Sequence, residues 1–285
     1  MKKRITSARR KRRITNGLKY IVCAILACLV IGPILITLFA SFKSKGDMVM
    51  TSPLMLPKLS NLTFKNYKEV FGNEMLRFAF RNSALIVAVS LVFNIFMGSV
   101  TAYILERFEF RFRRLIFALF FMGMLIPTFI TEIARFKVIQ SLGLYNTLGA
   151  PIVIYVASDL MQLYIYRQFV SKLPVSLDES ALIDGCGYFS LFGRIIFPLL
   201  APATATISII KSVTIINDMY IPYLYMPNNK LKTLTTFLMT YAGAKQGSWQ
   251  NLSAAIIIIM IPTVVIYLIF QKHILSGITA GAVKE

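Results

Sequence analysis

Several ionisable and amide side chains lie inside stretches of this chain that are otherwise apolar. Asp159 and Gln162 are three residues apart, and on a helix that spacing places them on one face. Lys211 and Asn94 lie in two other apolar stretches. Charges at membrane depth are costly, so such groups are kept to bind a solute or to pair with one another between helices. Both interpretations stay open: with Tyr155 these groups could line a solute cavity, or Asp159 and Lys211 could form a packing ion pair.

Segment 171–198 is more polar and carries the signals of a short helix outside the membrane. Ser176 and Glu179 have the spacing of a capping box, which predicts a helix from about Leu177 to Asp184. Gly185 follows this helix, and glycine tolerates the left-handed conformation in which many helices end.

A second short helix is predicted after this glycine, from near Tyr188 to just before Pro198. The two helices and the sharp turn between them would form a compact knob. We expect a protein partner to bury its exposed apolar face, which consists of Tyr188, Phe189 and Phe192.

The elements that must position these groups are long apolar helices. Hydrophobic residues make up 56% of the 285 residues and charged residues 15%, and the mean hydropathy is +0.68, which is too apolar for a soluble domain. A bilayer core needs roughly 20 apolar helical residues. Lipid favours helices because the backbone must satisfy its own hydrogen bonds, and a barrel would show short alternating segments instead. The sequence therefore predicts an all-α polytopic membrane protein with six spans, at about 20–42, 83–105, 115–134, 149–170, 199–217 and 252–270.

The net charge of +19 is explained without a nucleic-acid partner. Basic residues cluster at membrane ends, where they set orientation and contact anionic lipid. The first apolar segment is too long for a typical signal-peptide core and has no clear cleavage site, so we interpret it as a span. The predicted organisation is a basic cytoplasmic N-terminus (1–19), a six-span domain (20–271) and a cytoplasmic tail (272–285).

Prolines and polar gaps add detail to this organisation. Pro127 and Pro262 lie near the middle of two spans, and each is predicted to kink its helix. Segments 43–82 and 218–251 are predicted to be external loops, the first with a short helix near Phe64–Phe71.

The sequence predicts neither catalysis nor a metal site. His273 is the single histidine, and Cys23, Cys28 and Cys186 are not placed to complete a zinc site with it. The three cysteines also do not form a disulfide framework, so disulfides are not predicted. The chain has no Gly-Lys dipeptide and hence no Walker A phosphate loop.

Segment 171–198 resembles the E-A-A loop of the type I permeases of binding-protein-dependent ABC importers. The matching residues are Glu179, Ser180, Ala181, Asp184, Gly185, Ile195 and Pro198. Ser180 and Cys186 stand where the family usually has alanine. Other motifs are similar to the carbohydrate-uptake branch, in particular to the second permease of maltose-type importers: Asn66-Tyr67, Asn82-Ser83, Ala102-Tyr103 with Arg107, Met124–Pro127, Leu142–Thr147, and Asn217-Asp218 with Pro222. Through the last motif, Asn217 and Asp218 join the candidate solute pathway.

The resemblance implies a type I permease fold and a set of partners. A second homologous permease subunit would complete the pathway, and two copies of an ABC ATPase subunit, which carry the ATP and Mg, would each receive a coupling helix. Glu179 would face polar groups of the ATPase, and Gly185 would let the knob seat closely. An extracellular solute-binding (lipo)protein would deliver a sugar or oligosaccharide to loops 43–82 and 218–251.

This chain would then be a subunit of the bacterial inner membrane without enzymatic activity or a cofactor of its own. The alternative within transport is a permease for another solute, such as a peptide or an amino acid. Two further classes are an intramembrane enzyme and a passive channel, and nucleotide-dependent uptake separates both from an importer.

Overall fold

The computed structural model describes the backbone of residues 2–50, 55, 61–242 and 248–282. Parts of the two predicted loops and the end of the predicted tail (51–54, 56–60, 243–247 and 283–285) lie outside the described residues. Every regular element in the described part is helical, which confirms the all-α fold class. In chain order the α-helices are α1 (Lys2–Ser41), α2 (Lys45–Met50), α3 (Lys65–Phe71), α4 (Glu74–Arg107), α5 (Arg113–Leu125), α6 (Thr128–Ser141), α7 (Gly149–Val156), α8 (Leu160–Val170), α9 (Val175–Ile183), α10 (Tyr188–Leu191), α11 (Phe197–Leu199), α12 (Ala201–Asn217), α13 (Tyr220–Tyr225), α14 (Leu234–Ala242) and α15 (Trp249–Ala282).

The chain divides into two compact units. The smaller comprises Met1–Gly72 with Thr240–Ile258, and the larger comprises Asn73–Met239 with Ile259–Glu285. In the larger unit α4 packs against α7, α8 and α12. Its core includes Leu163, Tyr166 and Leu200, which are fully buried.

In the smaller unit the Asn66-Tyr67 pair fixes α3 to the end of α1. The Asn66 side-chain amide donates to the carbonyl oxygens of Ser41 at 2.7 Å and Lys43 at 2.9 Å, which satisfies backbone acceptors that the helix end leaves free. Tyr67 Oη lies 2.7 Å from Ser41 Oγ. The predicted short helix of the first loop is confirmed as α3, and α2 is an additional helix there.

Three of the six predicted spans are single helices long and apolar enough to cross a membrane. They are Asn16–Ser41 within α1, α4, and Trp249–Ile269 within α15. Pro262 lies inside α15, which continues through it without interruption. Among the described residues the count rises to five if each of two bent helix pairs is one span.

The third predicted span is broken rather than kinked. α5 and α6 meet at an angle of 107° around Ile126 and Pro127. The residue before a proline is disfavoured in the α conformation, and Ile126 is extended, with φ −81° and ψ 118°. Pro127 also lacks the amide hydrogen that would continue the helix, so α6 restarts at Thr128.

The fourth predicted span, 149–170, is not the continuous helix that its apolar composition indicates. α7 and α8 contain 8 and 11 residues and are separated by residues 157–159. Neither half alone has the roughly 20 residues that a bilayer core requires. Ala157 ends α7 with ψ 131°, and Asp159 is extended, with φ −114° and ψ 171°.

The fifth predicted span begins in the loop that precedes it. The chain is helical from Tyr188 to Leu199, through a π-helical turn at Phe192–Ile196, and bends by 76° before α12. The predicted end before Pro198 is therefore wrong. Pro198 lies two residues after the π-helical turn, and prolines and π-helical turns are usual causes of helix bends.

The described part of segment 218–251 contains helices where a loop was predicted. It contains α13, a 3-10 turn at Asn229–Leu231 and α14. The Asn82 side chain on α4 donates to the carbonyl oxygens of Lys230 at 2.9 Å and Lys232 at 3.0 Å. The Asn82-Ser83 motif thus holds this segment, because Ser83 Oγ also accepts the Leu234 amide at 3.0 Å.

Candidate functional site

The helix of the predicted coupling loop ends as its glycine predicts. α9 runs from Val175 to Ile183, and Gly185 has φ +81°, a conformation that side chains with a Cβ rarely adopt. The Gly185 amide donates to the Leu182 carbonyl at 3.0 Å, and the Cys186 amide donates to the Ala181 carbonyl at 2.9 Å. This pair of bonds is a Schellman motif, which satisfies the last carbonyl groups of α9.

The predicted capping box is wrong. α9 begins one residue after Pro174, without a side-chain cap, and Ser176 lies inside its first turn. Pro174 has no amide hydrogen that needs a cap partner, so the helix can start there. Asp178 points inward and is buried.

Asp178 joins the loop to the end of α4. Tyr103 Oη donates to Asp178 Oδ1 at 2.5 Å, and Arg107 Nε lies 3.2 Å from Asp178 Oδ2. Arg107 Nη2 also donates to the Leu173 carbonyl at 2.7 Å. The side chains of Arg107 and Asp178 are only 9% and 11% exposed. We call Tyr103, Arg107 and Asp178 the loop anchor.

Sequence reasoning missed the anchor. The Ala102-Tyr103 and Arg107 motif was recognised without a role, because its partner Asp178 is 75 residues away from Tyr103. The signal available in the sequence was the pairing of this motif with an aspartate directly before Glu179.

The seven residues of the predicted coupling site divide between the two faces of the loop. Ala181 is buried in the core with Leu191 and Ile196, and Ile195 is half-buried. The exposed residues are Glu179, Ser180, Asp184, Gly185 and Pro198.

The exposed apolar face of the loop differs from the prediction. Phe189 is 95% exposed and Ile183, which we had not included, is 85% exposed. Phe192 is half-buried instead, with its ring centroid 5.4 Å from that of Tyr103. Tyr188 is exposed and packs edge-on against Phe108. The surface that a partner could cover is therefore acidic and apolar at once.

The predicted solute-pathway residues gather around the break in the fourth span. Asn94 on α4 donates its side-chain amide to the carbonyl oxygens of Tyr155 at 3.0 Å and Ala157 at 2.9 Å. These carbonyls belong to the end of α7, where the helix leaves its acceptors without backbone partners. In a membrane such groups must be satisfied within the protein, and Asn94 does this.

Asp159 begins the second half of the broken span. Its Oδ1 accepts the Gln162 amide at 2.8 Å as the N-cap of α8, and its Oδ2 pairs with Lys211 Nζ on α12. The predicted packing pair is thus present, but 53% of the Asp159 side chain is exposed, against 16% of Lys211. We call residues 157–159 with Asn94 and Lys211 the helix break.

Asp159 precedes α8 as its N-cap, and Gln162 lies in the first turn of that helix. Gln162 is buried and donates to the Asn94 carbonyl at 2.9 Å. A Cβ at Gly98 would lie 2.2 Å from Gln162 Nε2, so the glycine is what allows α8 to approach α4.

Two cavities adjoin the helix break. An open cavity of about 570 Å³ is lined by Ser158, Asp159 and apolar residues of α5, and a smaller one of about 120 Å³ lies beside Asp159, Gln162 and Lys211. Asp159 lines both. The larger volume is within the range of small-molecule sites.

Tyr155 and Asp218 form a second polar group near the end of α12. Tyr155 Oη donates to Asp218 Oδ2 at 2.8 Å, and Asp218 Oδ1 accepts the Tyr220 amide at 2.8 Å. The Asp218 carbonyl accepts from Thr235 Oγ1 at 2.8 Å. Asn217 is exposed at the last position of α12 and is not brought into this group.

A buried acidic residue also ties α6 to α13. Tyr225 Oη donates to Glu132 Oε1 at 2.6 Å, and Arg135 pairs with the other oxygen of the carboxylate. Burial, together with this hydrogen bond, raises the pKa of Tyr225 to about 12, so the phenol stays a neutral donor. Glu132 thus has a structural partner and does not face the cavities above.

Comparison with known proteins decides the family. The model of the binding-protein-dependent transport system inner membrane component matches residues 94–279, which include the helix break and the whole of segment 171–198. The chain belongs to this family. It is therefore a membrane transport component, a permease, and not an enzyme.

Curated relatives match this permease over nearly its full length. The melibiose/raffinose/stachyose import permease protein MelC of Bacillus subtilis (strain 168) is 34% identical, with 93% of this chain and 95% of the relative covered. The probable starch degradation products transport system permease protein AmyC of Thermoanaerobacterium thermosulfurigenes is 31% identical, with 97% and 100% covered.

A solved structure confirms the fold of the permease. It is a bacterial ABC transporter involved in the import of the acidic polysaccharide alginate, and it superposes with a TM-score of 0.81 at 20% identity, covering 92% of this chain and 97% of that chain. The predicted ABC importer permease fold is therefore confirmed.

Proposed function

We propose that this permease is one membrane subunit of an ATP-driven importer for a neutral sugar or oligosaccharide. The observation that carries the proposal is the agreement among relatives that match over most of their length. Their names specify melibiose, raffinose and stachyose, starch degradation products, and galactooligosaccharides. No relative among these is named for a peptide or an amino acid, the alternative solutes that the coupling loop leaves open.

The partners follow from the same proposal. The permease pairs with a second homologous permease, and each of two ATPase copies, which hold ATP and Mg, receives a coupling helix. An extracellular binding (lipo)protein delivers the sugar. Both termini and segment 171–198 face the cytoplasm. The Asn16–Ser41 span supports a membrane partner, since none of its most apolar window is buried within this chain.

The loop anchor gives the coupling helix a route to the transmembrane helices. Glu179, Ser180 and Asp184 remain free on the exposed face to contact the ATPase, with Phe189 as the apolar contact. Movement of the seated loop is passed to α4, because buried Asp178 accepts a hydrogen bond from Tyr103 and forms an ion pair with Arg107. A buried ion pair resists separation, since removing either partner leaves an unpaired charge.

The helix break is the part of the solute pathway that this chain contributes. Asp159 and Lys211 line the cavities and offer an acceptor and a donor to sugar hydroxyl groups. Asn94 holds the break behind them. Gln162 lines the smaller cavity with them and is fixed by its hydrogen bond to the Asn94 carbonyl. The hydrogen bond from Tyr155 to Asp218 keeps the end of α12 in place.

The direct test is ATP-dependent uptake by proteoliposomes that contain the complete transporter and its binding protein. Radiolabelled melibiose, raffinose and maltotriose would be compared with a tripeptide and with glutamine. The proposal predicts uptake of at least one oligosaccharide, abolished when ATP is omitted. Uptake of the peptide or the amino acid alone would overturn the sugar assignment, and uptake without ATP would overturn the importer.

A further inference from the structure

A cavity lined by arginines lies at the end of α4 that carries the loop anchor. It has a volume of about 420 Å³ and is lined by Leu105, Arg113, Arg114, Phe117 and Arg167. The arginines come from the first two positions of α5 and from α8. The cavity is separate from those at the helix break, with which it shares no lining residue.

The three guanidinium groups are only partly neutralised. Glu106 Oε2 accepts from Arg167 Nε at 2.6 Å and lies 3.9 Å from Arg113 Nη2. Arg167 is also held over the Phe117 ring, 4.8 Å from its centroid. Within the described part of the chain, Glu106 is the one carboxylate that pairs with these arginines, so the cavity keeps a net positive charge.

The start of α5 adds to this positive field. Phe112 supplies no side-chain cap, and the first turn contains no acidic residue. Helix N-termini carry partial positive charge, so placing Arg113 and Arg114 there is unfavourable unless an anion lies nearby. An anion in the cavity would meet the arginine side chains and would be favoured by the positive end of α5.

The rest of the cavity lining is apolar. Leu105 and Phe117 line the cavity, and Phe112 and Leu115, which flank its two α5 arginines in the sequence, are exposed. Arginine binds phosphate oxygens through paired hydrogen bonds, and basic pockets between membrane helices bind phospholipid headgroups. A phosphate group with an attached apolar body matches both walls.

We propose that this cavity binds a phosphate group, and that the membrane supplies it as the headgroup of an anionic phospholipid. Arg114 is the residue that distinguishes this site from general surface charge, since it lines the cavity, is exposed and is not the partner of Glu106. Arg111 is the matched control. It is an exposed arginine of the same connection but does not line the cavity.

The experiment is native mass spectrometry of the complete transporter, purified in neutral detergent, delipidated and titrated with dioctanoyl phosphatidylglycerol. The proposal predicts a saturable lipid adduct whose dissociation constant rises about tenfold in Arg114→Gln, because a charge-assisted hydrogen bond to phosphate is lost. Arg114→Lys should restore most of the affinity, and Arg111→Gln should bind as the unmodified chain does. Equal weakening by Arg111→Gln and Arg114→Gln would overturn the site.

Two further probes identify the source of the phosphate. Dioctanoyl phosphatidylcholine should bind much more weakly, and comparable binding would overturn the role of net charge. Inorganic phosphate should compete only at far higher concentration than the lipid. If it competes equally well, the phosphate chemistry stands and the lipid source is wrong. None of these readouts depends on uptake, so they stand or fall separately from the proposed transport function.

Discussion

The loop anchor and the helix break both centre on an aspartate paired with a basic residue, yet they differ in exposure. The Asp178 and Arg107 side chains are 11% and 9% exposed, whereas 53% of the Asp159 side chain is exposed. A buried charge is bound to its protein partners at all times. A half-exposed charge beside a cavity is available to a ligand. On this difference we propose that the anchor transmits force and that the break contacts the solute.

Unpaired polar atoms do not distinguish the two regions. Among the described side chains, Asn94 Oδ1 at the break and both Arg107 Nε and Asp178 Oδ2 at the anchor are buried without a hydrogen bond. Such atoms cost free energy in the state that contains them. The contrast between the two regions therefore depends on the exposure of their aspartates.

The largest expected effect is at the anchor. Arg107→Ala leaves buried Asp178 without its cationic partner, and breaking a buried pair costs about 3–5 kcal/mol. We expect a lower Tm of the permease and loss of the ATPase from the purified complex. Glu179→Ala is the control for stability, because Glu179 is an exposed carboxylate on α9, next to Asp178, and its removal should leave the Tm unchanged. An unchanged Tm in Arg107→Ala would contradict the claim that the Arg107–Asp178 pair stabilises the permease.

The next effect is at the contact between α4 and α8. Gly98→Ala places a Cβ 2.2 Å from Gln162 Nε2, so the buried amide must move and lose its bond to Asn94. Overpacking of this kind costs about 1–3 kcal/mol. Thermal unfolding in detergent measures it. Gly123→Ala, where a Cβ meets nothing within 4 Å, should leave the Tm unchanged. Equal Tm values for the two variants would contradict the close approach at Gly98.

A smaller effect separates the two glycines of the loop. Gly185 has φ +81° and Gly187 has φ −71°, and an added Cβ meets no atom within 4 Å at either position. Only backbone conformation distinguishes them, and the left-handed region costs roughly 1–2 kcal/mol for alanine. Gly185→Ala should therefore reduce the sugar transported per ATP, measured in proteoliposomes, while Gly187→Ala does not. The reverse order would show that the turn at Gly185 is not needed for seating.

The smallest effect on stability is at Asp159. Asp159→Asn keeps an N-cap of similar strength on α8 but removes the charge that pairs with Lys211. We expect complete assembly and only a slight fall in Tm, because Lys211 loses its partner while Asp159 itself is half-exposed. Initial uptake should fall about tenfold if one charge-assisted contact to the solute is lost. Asp159→Ala also removes the cap and should lower the Tm further. Failed assembly of Asp159→Asn would favour a packing role over solute contact.

Local signals in the sequence predicted the elements that depend on local chemistry. Apolar runs marked the spans at α1, α4 and α15, and Gly185 marked the end of α9 because its backbone conformation is a property of that residue. The resemblance of segment 171–198 identified the family. The sequence also placed Asn94, Asp159 and Lys211 in one candidate set, and the structure brings these three together at the break.

Local sequence signals did not predict the features that depend on distant residues. The run 149–156 is apolar and reads as the start of one helix, but its end is satisfied by Asn94, 61 or more residues away. The Ser176 capping box had the right spacing and failed because α9 begins directly after Pro174, which places Ser176 inside its first turn. Ser158-Asp159 before an apolar stretch was an available signal for a helix start, and it was hidden by the expectation of a continuous span.

The most direct test of the different roles of anchor and break is the number of sugar molecules imported per ATP hydrolysed, measured side by side in Tyr103→Phe and Asp159→Asn. Both changes are conservative, and each removes one interaction of an aspartate. We predict that Tyr103→Phe lowers this ratio, whereas Asp159→Asn slows uptake and hydrolysis together and leaves the ratio unchanged. A normal ratio in Tyr103→Phe with a lowered ratio in Asp159→Asn would contradict the account.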